Sequence, residues 1–307
     1  MKADLISNLS PLSLNEFYEI LDADLEPDNS ASIWAMREPL SRLSLDLSWI
    51  YPALESVIQD DSPHGINSRQ PSYYVLRETE KYRFRLNIWL PETSNTRQSE
   101  LEGAAYSYYY PHDHNFDILS INCLGGGYET HLFEYVSDYR PNTSGEAIDV
   151  RYNGRRRQKP MEVFFYEKNK DIHIQIPTTE VSVTLNLLPY VTSDFLATQH
   201  IYVPEKTDRL RFVGRPPSPE NRLLSSMFFA AKIKSIYDAE MSYKDFFENM
   251  SETNRPAIDA QIRKLVELQH KTAHDKHKYF EDEVMQAGKN IKYFEIADEV
   301  RRWSECL

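Results

Sequence analysis

Apolar residues recur at helical spacing in the first part of the chain, from Ser13 to about Asp61. Ser13 and Glu16 form a capping-box pattern, which predicts the start of a helix. Because proline disfavours helix interiors, this stretch is expected to divide into short helices. The prolines that interrupt it are Pro27, Pro39 and Pro52.

From about Tyr73 the apolar residues recur with a period of two, which is the pattern of β-strands. The predicted strands cover residues 82–89, 105–110, 116–123, 130–135, 147–152, 161–166, 172–176 and 181–188. Turn residues separate these strands at intervals of roughly 8–12 residues, which favours an antiparallel sandwich or barrel.

Helical spacing returns after Pro204, where Ser218, Pro219 and Glu220 form a helix-start signal. The last predicted helix begins at about Lys289 and ends at about Trp303. The chain is therefore expected to have an N-terminal helical segment over 1–70, a β-barrel over 71–205 and a helical region over 206–307. Since no low-complexity linker separates them, the C-terminal helices are expected to pack on the barrel.

The charge of the chain argues against nucleic acid as a partner. Its 307 residues carry 35 Lys and Arg against 47 Asp and Glu, a net charge of −12, whereas nucleic-acid binding needs clustered positive charge. One local basic cluster surrounds Asn153 and Gly154, a two-residue signal for a hairpin turn, and is expected to be a solvated loop tip. Its members are Arg151, Arg155, Arg156, Arg157 and Lys159.

The two cysteines, Cys123 and Cys306, are too few for a disulfide framework. The N-terminal residues lack a signal-peptide pattern, and no apolar run approaches the roughly 18 residues of a membrane span. A cytoplasmic chain without a membrane partner is therefore expected.

The segment from Tyr108 to Asp117 carries the strongest chemical pattern. His112 and His114 are two residues apart, so on a strand their side chains project from the same face and can bind one metal ion. His173, in the middle of an otherwise apolar predicted strand, is the candidate third ligand.

Other residues could complete the metal site. Asp117 is the nearest carboxylate after the histidine pair, although it needs a β-bulge to share their face. Glu129 and His131 lie on the next predicted strand and are alternative third ligands. A separate set, His270, His274 and His277, shares one face of a predicted C-terminal helix, but neighbouring lysines favour a solvated polar face.

These motifs resemble those of the cupin superfamily, over residues 73–204. His112 and His114 match the His-x-His of the first motif, and Gly125 to Gly127 stand in for its following turn. His173 matches the single histidine of the second motif, where Lys168-Asn169-Lys170 replaces the usual Pro-x-Gly turn. The usual acidic position holds Ile118 and Leu119 instead.

The resemblance implies a mainly β fold with flanking α-helices, a cupin-type antiparallel barrel also described as a double-stranded β-helix. It implies a centre of three histidines, as in the thiol-dioxygenase branch, which holds Fe(II). Another divalent transition metal stays an alternative. Use of 2-oxoglutarate is disfavoured, because enzymes that use it generally bind its distal carboxylate with a basic residue after the last histidine. Residues 174–200 contain no Lys or Arg, although a basic group from another strand could serve.

Several residues are candidates for substrate handling. Tyr108 and Tyr110 share the strand parity of the histidines, so a phenol could act in proton transfer, with aromatic packing as the alternative. Arg83 and Arg85 share one face of their predicted strand and could bind a substrate carboxylate, unless that face is outward. The weaker candidates for polar contacts are Gln175 and Asn186.

The resulting hypothesis is a metal-dependent oxygenase acting on an amino-acid-like small molecule or a peptide. A peptide is considered because the helical extensions exceed what a minimal barrel needs. Two alternatives are a non-redox metal-dependent cupin, such as an isomerase, lyase or hydrolase, and a non-catalytic cupin binding module. A homodimer is left open as a further partner.

Overall fold

A computed structural model describes residues 1–59, 73–89, 91, 107–189, 199–214 and 293–306. The described part of the chain is mainly β: a six-stranded antiparallel sheet faces a closed antiparallel barrel, with helices at both ends. The predicted fold class, an antiparallel barrel flanked by terminal helices, is confirmed. Among the described helices, none is long and apolar enough to cross a membrane.

Four short helices lie between β1 (Lys2–Asp4) and the remaining strands. They are α1 (Leu14–Asp24), α2 (Ser30–Ala35), α3 (Arg37–Leu43) and α4 (Ile50–Gln59). Helix α1 begins at the predicted capping box, where the Ser13 N–H donates to the Glu16 carboxylate at 2.9 Å. Pro39 and Pro52 lie in the first turns of α3 and α4 instead of between helices, because a first-turn residue has no intrahelical acceptor to lose.

The six-stranded sheet, called here the first sheet, contains strands from distant parts of the sequence. Its spatial order is β1 (Lys2–Asp4), β8 (Val163–Tyr166), β5 (Ile118–Leu124), β10 (Ser182–Pro189), β3 (Tyr82–Trp89) and β2 (Tyr73–Glu78). The bounds of β3 are those that the alternating pattern predicts.

The closed barrel contains the other six strands. Around the ring these are β11 (Ile201–Lys206), β12 (Arg209–Gly214), β7 (Ala147–Arg157), β6 (Glu129–Tyr135), β9 (Asp171–Ile176) and β4 (His112–Asp113). Strand β4 closes the ring because it pairs with β9 on one side and with β11 on the other. These two pairings fix the position of the histidine segment.

Helices cover the sheets on the sides away from the space between them. Phe17 of α1 lies 5.0 Å from Phe84 of β3, measured between ring centroids. Helix α5 (Tyr293–Glu305) packs on the barrel, where the Trp303 ring lies 5.7 Å from that of Phe133. Since side chains alternate along a strand, Arg85 projects from the face opposite Phe84, toward the barrel.

The predicted hairpin at the basic cluster is wrong. Strand β7 continues through Asn153 and Gly154, and its pairing with β6 shifts register there, which marks a β-bulge. Gly154 has a φ of +92°, which glycine adopts without steric cost. The cluster is part of the sheet surface, where Arg155 and Arg157 both form ion pairs with Glu129.

The predicted strand over 105–110 is also wrong in its described part, residues 107–110. Ser107 and Tyr109 have φ values of +57° and +56°, which a strand does not tolerate. Tyr108 forms a single parallel bridge with Gln175. Because these residues do not form a strand, the equal spacing of the tyrosines and the histidines does not place their side chains on the same face.

The barrel extends beyond its expected C-terminal boundary at residue 205, because the hairpin of β11 and β12 ends at Gly214. The first sheet also takes β1 from the segment that was expected to be helical. The predicted helices that start at Ser218 and the set of His270, His274 and His277 lie outside the described residues.

Candidate metal centre

The structure brings the three predicted histidines together between the two sheets. His112 and His173 lie directly opposite each other on β4 and β9, and His114 follows β4. The ring centroids are 4.5 Å apart for His112 and His173, 4.8 Å for His112 and His114, and 5.0 Å for His114 and His173. One ring nitrogen from each histidine lies within 4.8 Å of the others.

The geometry of these nitrogens fits a transition metal. The Nε2 atoms of His112 and His173 are 3.1 Å apart, and two imidazole nitrogens about 2.1 Å from one ion are separated by about 3.0–3.4 Å. His112 Nδ1–H donates to the Tyr110 carbonyl at 2.7 Å, which leaves its Nε2 with a lone pair. His114 Nε2 is buried without a hydrogen-bond partner, as expected for an atom that awaits a ligand.

Burial keeps all three imidazoles in the form that binds metals. It is the largest influence on each, and it lowers the pKa of His112 below the ordinary value and those of His114 and His173 well below it. The positive charge of Arg85 lowers the pKa of His114 further. Neutral imidazoles can ligate without first losing a proton.

One side of the centre is apolar and aromatic. A cluster from both sheets, the apolar floor, consists of Ile118, Leu132, Phe164, Tyr166 and Leu188. The Tyr166 ring lies 4.6 Å from that of His173, and its hydroxyl lies 3.2 Å from the hydroxyl of Tyr128. Burial raises the pKa of both phenols, so they remain protonated donors.

The other side is a polar row on the first sheet. Cross-strand register aligns Arg85, Asn186 and Ser120 on the adjacent strands β3, β10 and β5. The Asn186 amide N–H donates to Asn87 Oδ1 at 2.8 Å. The Ser120 hydroxyl is buried beside Tyr128, where burial raises the pKa of that phenol and hydrogen bonding to Ser120 lowers it in part. Two predicted substrate residues, Arg85 and Asn186, are thus neighbours.

Arg85 is the most unusual member of this row. It lies deep in the protein yet keeps some accessible surface, as a residue lining an internal space does. Its Nε is buried without a partner, and its guanidinium stacks over the Tyr73 ring at 4.6 Å. Burial lowers the pKa of the guanidinium, but arginine remains charged. The arrangement offers an anion-binding group to the intersheet space.

Arg83 does not share this environment, although it has the same strand parity. Its guanidinium forms an ion pair with Glu78 of β2, with Nη2 and Oε1 2.5 Å apart. The structure therefore separates the two arginines that the sequence groups together.

The other predicted residues lie around the histidine segment. Tyr108 is bridged to Gln175 of β9, and the Tyr109 N–H donates to the Gln175 carbonyl at 2.9 Å. Tyr110 supplies its carbonyl to His112. The backbone of the tyrosine segment thus positions the histidines, while the predicted roles of the Tyr108 and Tyr110 phenols and of the Gln175 side chain remain predictions.

The alternative ligands lie elsewhere. Asp117 accepts the Lys168 N–H at 2.7 Å, and Glu129 is paired with arginines of β7. His131 projects from the opposite face of β6, where it contacts Tyr152 Oη at 2.8 Å and Ser304 Oγ at 3.0 Å. Of the residues that the structure describes, only His112, His114 and His173 form a cluster with metal-binding geometry.

Four residues of the site were not predicted from the sequence: Ser120, Tyr128, Tyr166 and Gln199. The side-chain amide nitrogen of Gln199 lies 2.6 Å from His114 Nδ1. The sequence could have identified Ser120, because a polar residue in a mainly apolar strand is a candidate to line a site. The others reach the site through sheet pairing and loops, for which no local pattern exists.

No family model matches the chain, and no curated protein matches it. Distant similarity is found to solved enzyme structures. A hydroquinone 1,2-dioxygenase from Sphingomonas sp. TTNP3 is 10% identical over 41% of this chain and 70% of its own, with a TM-score of 0.27. A DMSP lyase from Ruegeria pomeroyi DSS-3 is 11% identical over 64% of this chain and 81% of its own, with a TM-score of 0.25.

A ribosomal oxygenase from Escherichia coli is 11% identical over 62% of this chain and 38% of its own, with a TM-score of 0.21. Similarities at this level do not assign a function, so the assignment of the fold depends on the strand topology and on the histidine cluster of the chain itself. A closed antiparallel barrel that brings together the histidines of both motifs confirms the resemblance to the cupin superfamily at the level of the fold.

Proposed function

We propose that this chain is a metal-dependent oxygenase with non-haem Fe(II), acting on an amino-acid-like molecule or peptide that carries a carboxylate. The observation that supports the proposal most directly is the donor set, in which three neutral, buried imidazoles converge without a carboxylate among the described residues of the cluster. Imidazole suits iron, zinc, copper and nickel. His112, His114 and His173 would hold Fe(II), which would supply oxygen-dependent redox chemistry because three protein ligands leave coordination positions open.

The protein groups around the centre would bind and orient the substrate. Arg85 can pair with a carboxylate through two parallel hydrogen bonds, and Ser120 and Asn186 lie beside it in the same row. The unpartnered Nε of Arg85 would gain a partner. The bound carboxylate would therefore neutralise a buried charge and anchor the substrate next to the histidines.

The aromatic side of the site would exclude water and supply proton donors. Tyr166 packs on His173 and shares a hydrogen bond with Tyr128. Because burial keeps both phenols protonated, either hydroxyl can donate a hydrogen bond to a developing negative charge on the substrate.

Metal content tests the first part of the proposal. Protein purified without added metal is expected to contain a stoichiometric transition metal, measured by elemental analysis. His173→Gln should lose it, whereas His131→Gln, a histidine on the paired strand but outside the cluster, should retain it. Metal retained in His173→Gln would overturn the site, and metal-free wild type would favour the binding module.

Oxygen consumption tests the reaction class. Fe(II)-loaded protein is supplied anaerobically and then aerobically with amino acids, short peptides and thiol-containing carboxylates, each with and without 2-oxoglutarate. Uptake of oxygen that depends on the substrate alone supports the proposal. Turnover without oxygen would overturn it in favour of a non-redox cupin. A requirement for 2-oxoglutarate would assign Arg85 to that cosubstrate instead.

A further inference from the structure

We infer that Gln199 is a positioning residue for the metal centre, because its side chain determines which ring nitrogen of His114 faces the cluster. The inference rests on the metal site of the proposed function, though not on the oxygenase reaction. Gln199 directly precedes His200 and β11, and its amide nitrogen Nε2 lies 2.6 Å from His114 Nδ1.

The two ring nitrogens of His114 are in different environments. Nδ1 meets the Gln199 amide, whereas Nε2 is buried without a partner. A neutral imidazole carries its proton on one nitrogen and a lone pair on the other. If the amide oxygen faces His114, Nδ1–H donates to it and Nε2 presents a lone pair to a metal. In this structure the amide nitrogen faces His114, which would leave the proton on His114 Nε2, where a buried donor without an acceptor costs about 1–3 kcal/mol. A 180° rotation of the amide exchanges its oxygen and nitrogen in the same space and removes that cost, so we assign the orientation in which the oxygen faces His114.

His112 shows the same arrangement with a different acceptor. Its Nδ1–H donates to the Tyr110 carbonyl at 2.7 Å, so its Nε2 is left for the cluster. A metal-ligating histidine commonly donates its other N–H to an oxygen acceptor, which fixes the ring orientation and strengthens the ligand. Gln199 would perform for His114 what the backbone performs for His112.

The position of Gln199 is itself fixed by the ligand segment. The next residue, His200, donates its backbone N–H to Asp113 Oδ1 at 2.6 Å and its Nδ1–H to Asp113 Oδ2 at 2.9 Å. Asp113 lies between His112 and His114, and Ile201 pairs with His112. Because the start of β11 is held on the same short segment that carries two of the histidines, the amide has little freedom to move away from His114.

The test compares variants by Co(II) affinity, measured by titration of metal-free full-length protein and followed by the visible absorption of bound Co(II). Gln199→Leu removes the acceptor and should weaken Co(II) binding about 10–100-fold. Gln199→Glu can only accept a hydrogen bond from Nδ1–H, so it should restore affinity to at least that of the wild type. Tyr202→Phe, three residues later on β11, is the matched control, since it removes a hydroxyl that contacts the Tyr135 hydroxyl of β6 and leaves His114 untouched.

A second readout identifies the nitrogen that carries the proton. In Zn(II)-loaded protein, long-range ¹H–¹⁵N spectra are expected to show His114 protonated at Nδ1 in the wild type and in Gln199→Glu. Unchanged Co(II) affinity in Gln199→Leu, or equal weakening in Gln199→Glu, would overturn the role of Gln199 while leaving the metal site intact. Absence of Co(II) binding in the folded wild type would instead overturn the metal site, and the inference with it. Circular dichroism of each variant establishes that it is folded.

Discussion

Replacing Arg85 by methionine is expected to stabilise the ligand-free protein and to abolish its affinity for carboxylates. The guanidinium lies deep between the sheets with an unpartnered Nε, and the described residues give it no ion pair. A buried charge without a partner costs several kcal/mol, and even a buried ion pair, when replaced by apolar residues of similar volume, often gives way to a protein that is more stable by about 1–4 kcal/mol.

The expected gain lies in the lower part of that range. Stacking of the Arg85 guanidinium over the Tyr73 ring at 4.6 Å stabilises the wild-type protein by about 0.5–2 kcal/mol. This interaction is lost in the variant, so it reduces the gain. The guanidinium also keeps some accessible surface, which reduces its desolvation. Methionine fills a similar volume without a charge, so the free energy of unfolding should rise by about 1–2 kcal/mol.

Urea denaturation of metal-free protein measures this difference, with Arg83→Met as the matched control. Arg83 lies two residues earlier on β3 and is paired with Glu78 near the surface, so its loss should lower stability by about 0–1 kcal/mol. Calorimetric titration of the Zn(II)-loaded proteins with acetate, glycine and benzoate should show binding that Arg85→Met loses and Arg83→Met keeps. If Arg85→Met is less stable than Arg83→Met, the reasoning is refuted, because the buried charge of Arg85 would then be stabilised by its surroundings in the wild-type protein.

Three further predictions concern stability. Gly127 has a φ of +77°, and a Cβ there would lie 1.9 Å from the Gln158 carbonyl oxygen, so Gly127→Ala should lower the free energy of unfolding by about 2–4 kcal/mol. Gly145→Ala, at φ +97° in open space, should lower the free energy of unfolding by only about 1 kcal/mol. Equal decreases for the two variants in urea denaturation would show that the Cβ at position 127 does not clash with the Gln158 carbonyl. Burial lowers the pKa of His131 to about 4, so between that pH and about 6.5 the unfolded chain binds more protons at this residue than the folded protein does. The contribution of neutral His131 to stability is therefore fully present above pH 6.5, and the free energy of unfolding should fall by about 1–2 kcal/mol toward pH 4. His131→Gln should show a smaller fall between pH 7 and pH 5 in the same assay, and an identical fall would contradict the assignment. Finally, Co(II) at about 100 times its dissociation constant should stabilise the wild type by about 2.7 kcal/mol, whereas a thermal shift of the same size in His112→Ala would contradict binding through that histidine.

Local patterns predicted those features that depend only on neighbours in the sequence. The capping box places the start of α1, and the alternation over 82–89 gives β3 with its observed bounds. The i, i+2 spacing of His112 and His114 also places the two rings on one side of the chain, although β4 contains only His112 and Asp113.

Local patterns failed where a contact from another strand decided the conformation. The Asn153-Gly154 pair is a hairpin signal, but here pairing with β6 continues past it and the glycine serves a bulge. Tyr108 and Tyr110 have the parity of the histidines, but residues 107–110 form no strand, so that parity has no structural meaning.

The sequence by itself determined the β character of the central region, the flanking helices of the N-terminal part and the identity of the three histidines. Those features follow from periodicity and from residue chemistry, which are local. Only the tertiary structure decided that His131 lies outside the centre and that Gln199 contacts His114. It also decided that Arg85 is buried over the Tyr73 ring while Arg83 pairs with Glu78. Such choices depend on strand order, register and the face that each strand presents, and these are set by pairings between residues as far apart as His114 and Gln199, separated by 85 positions.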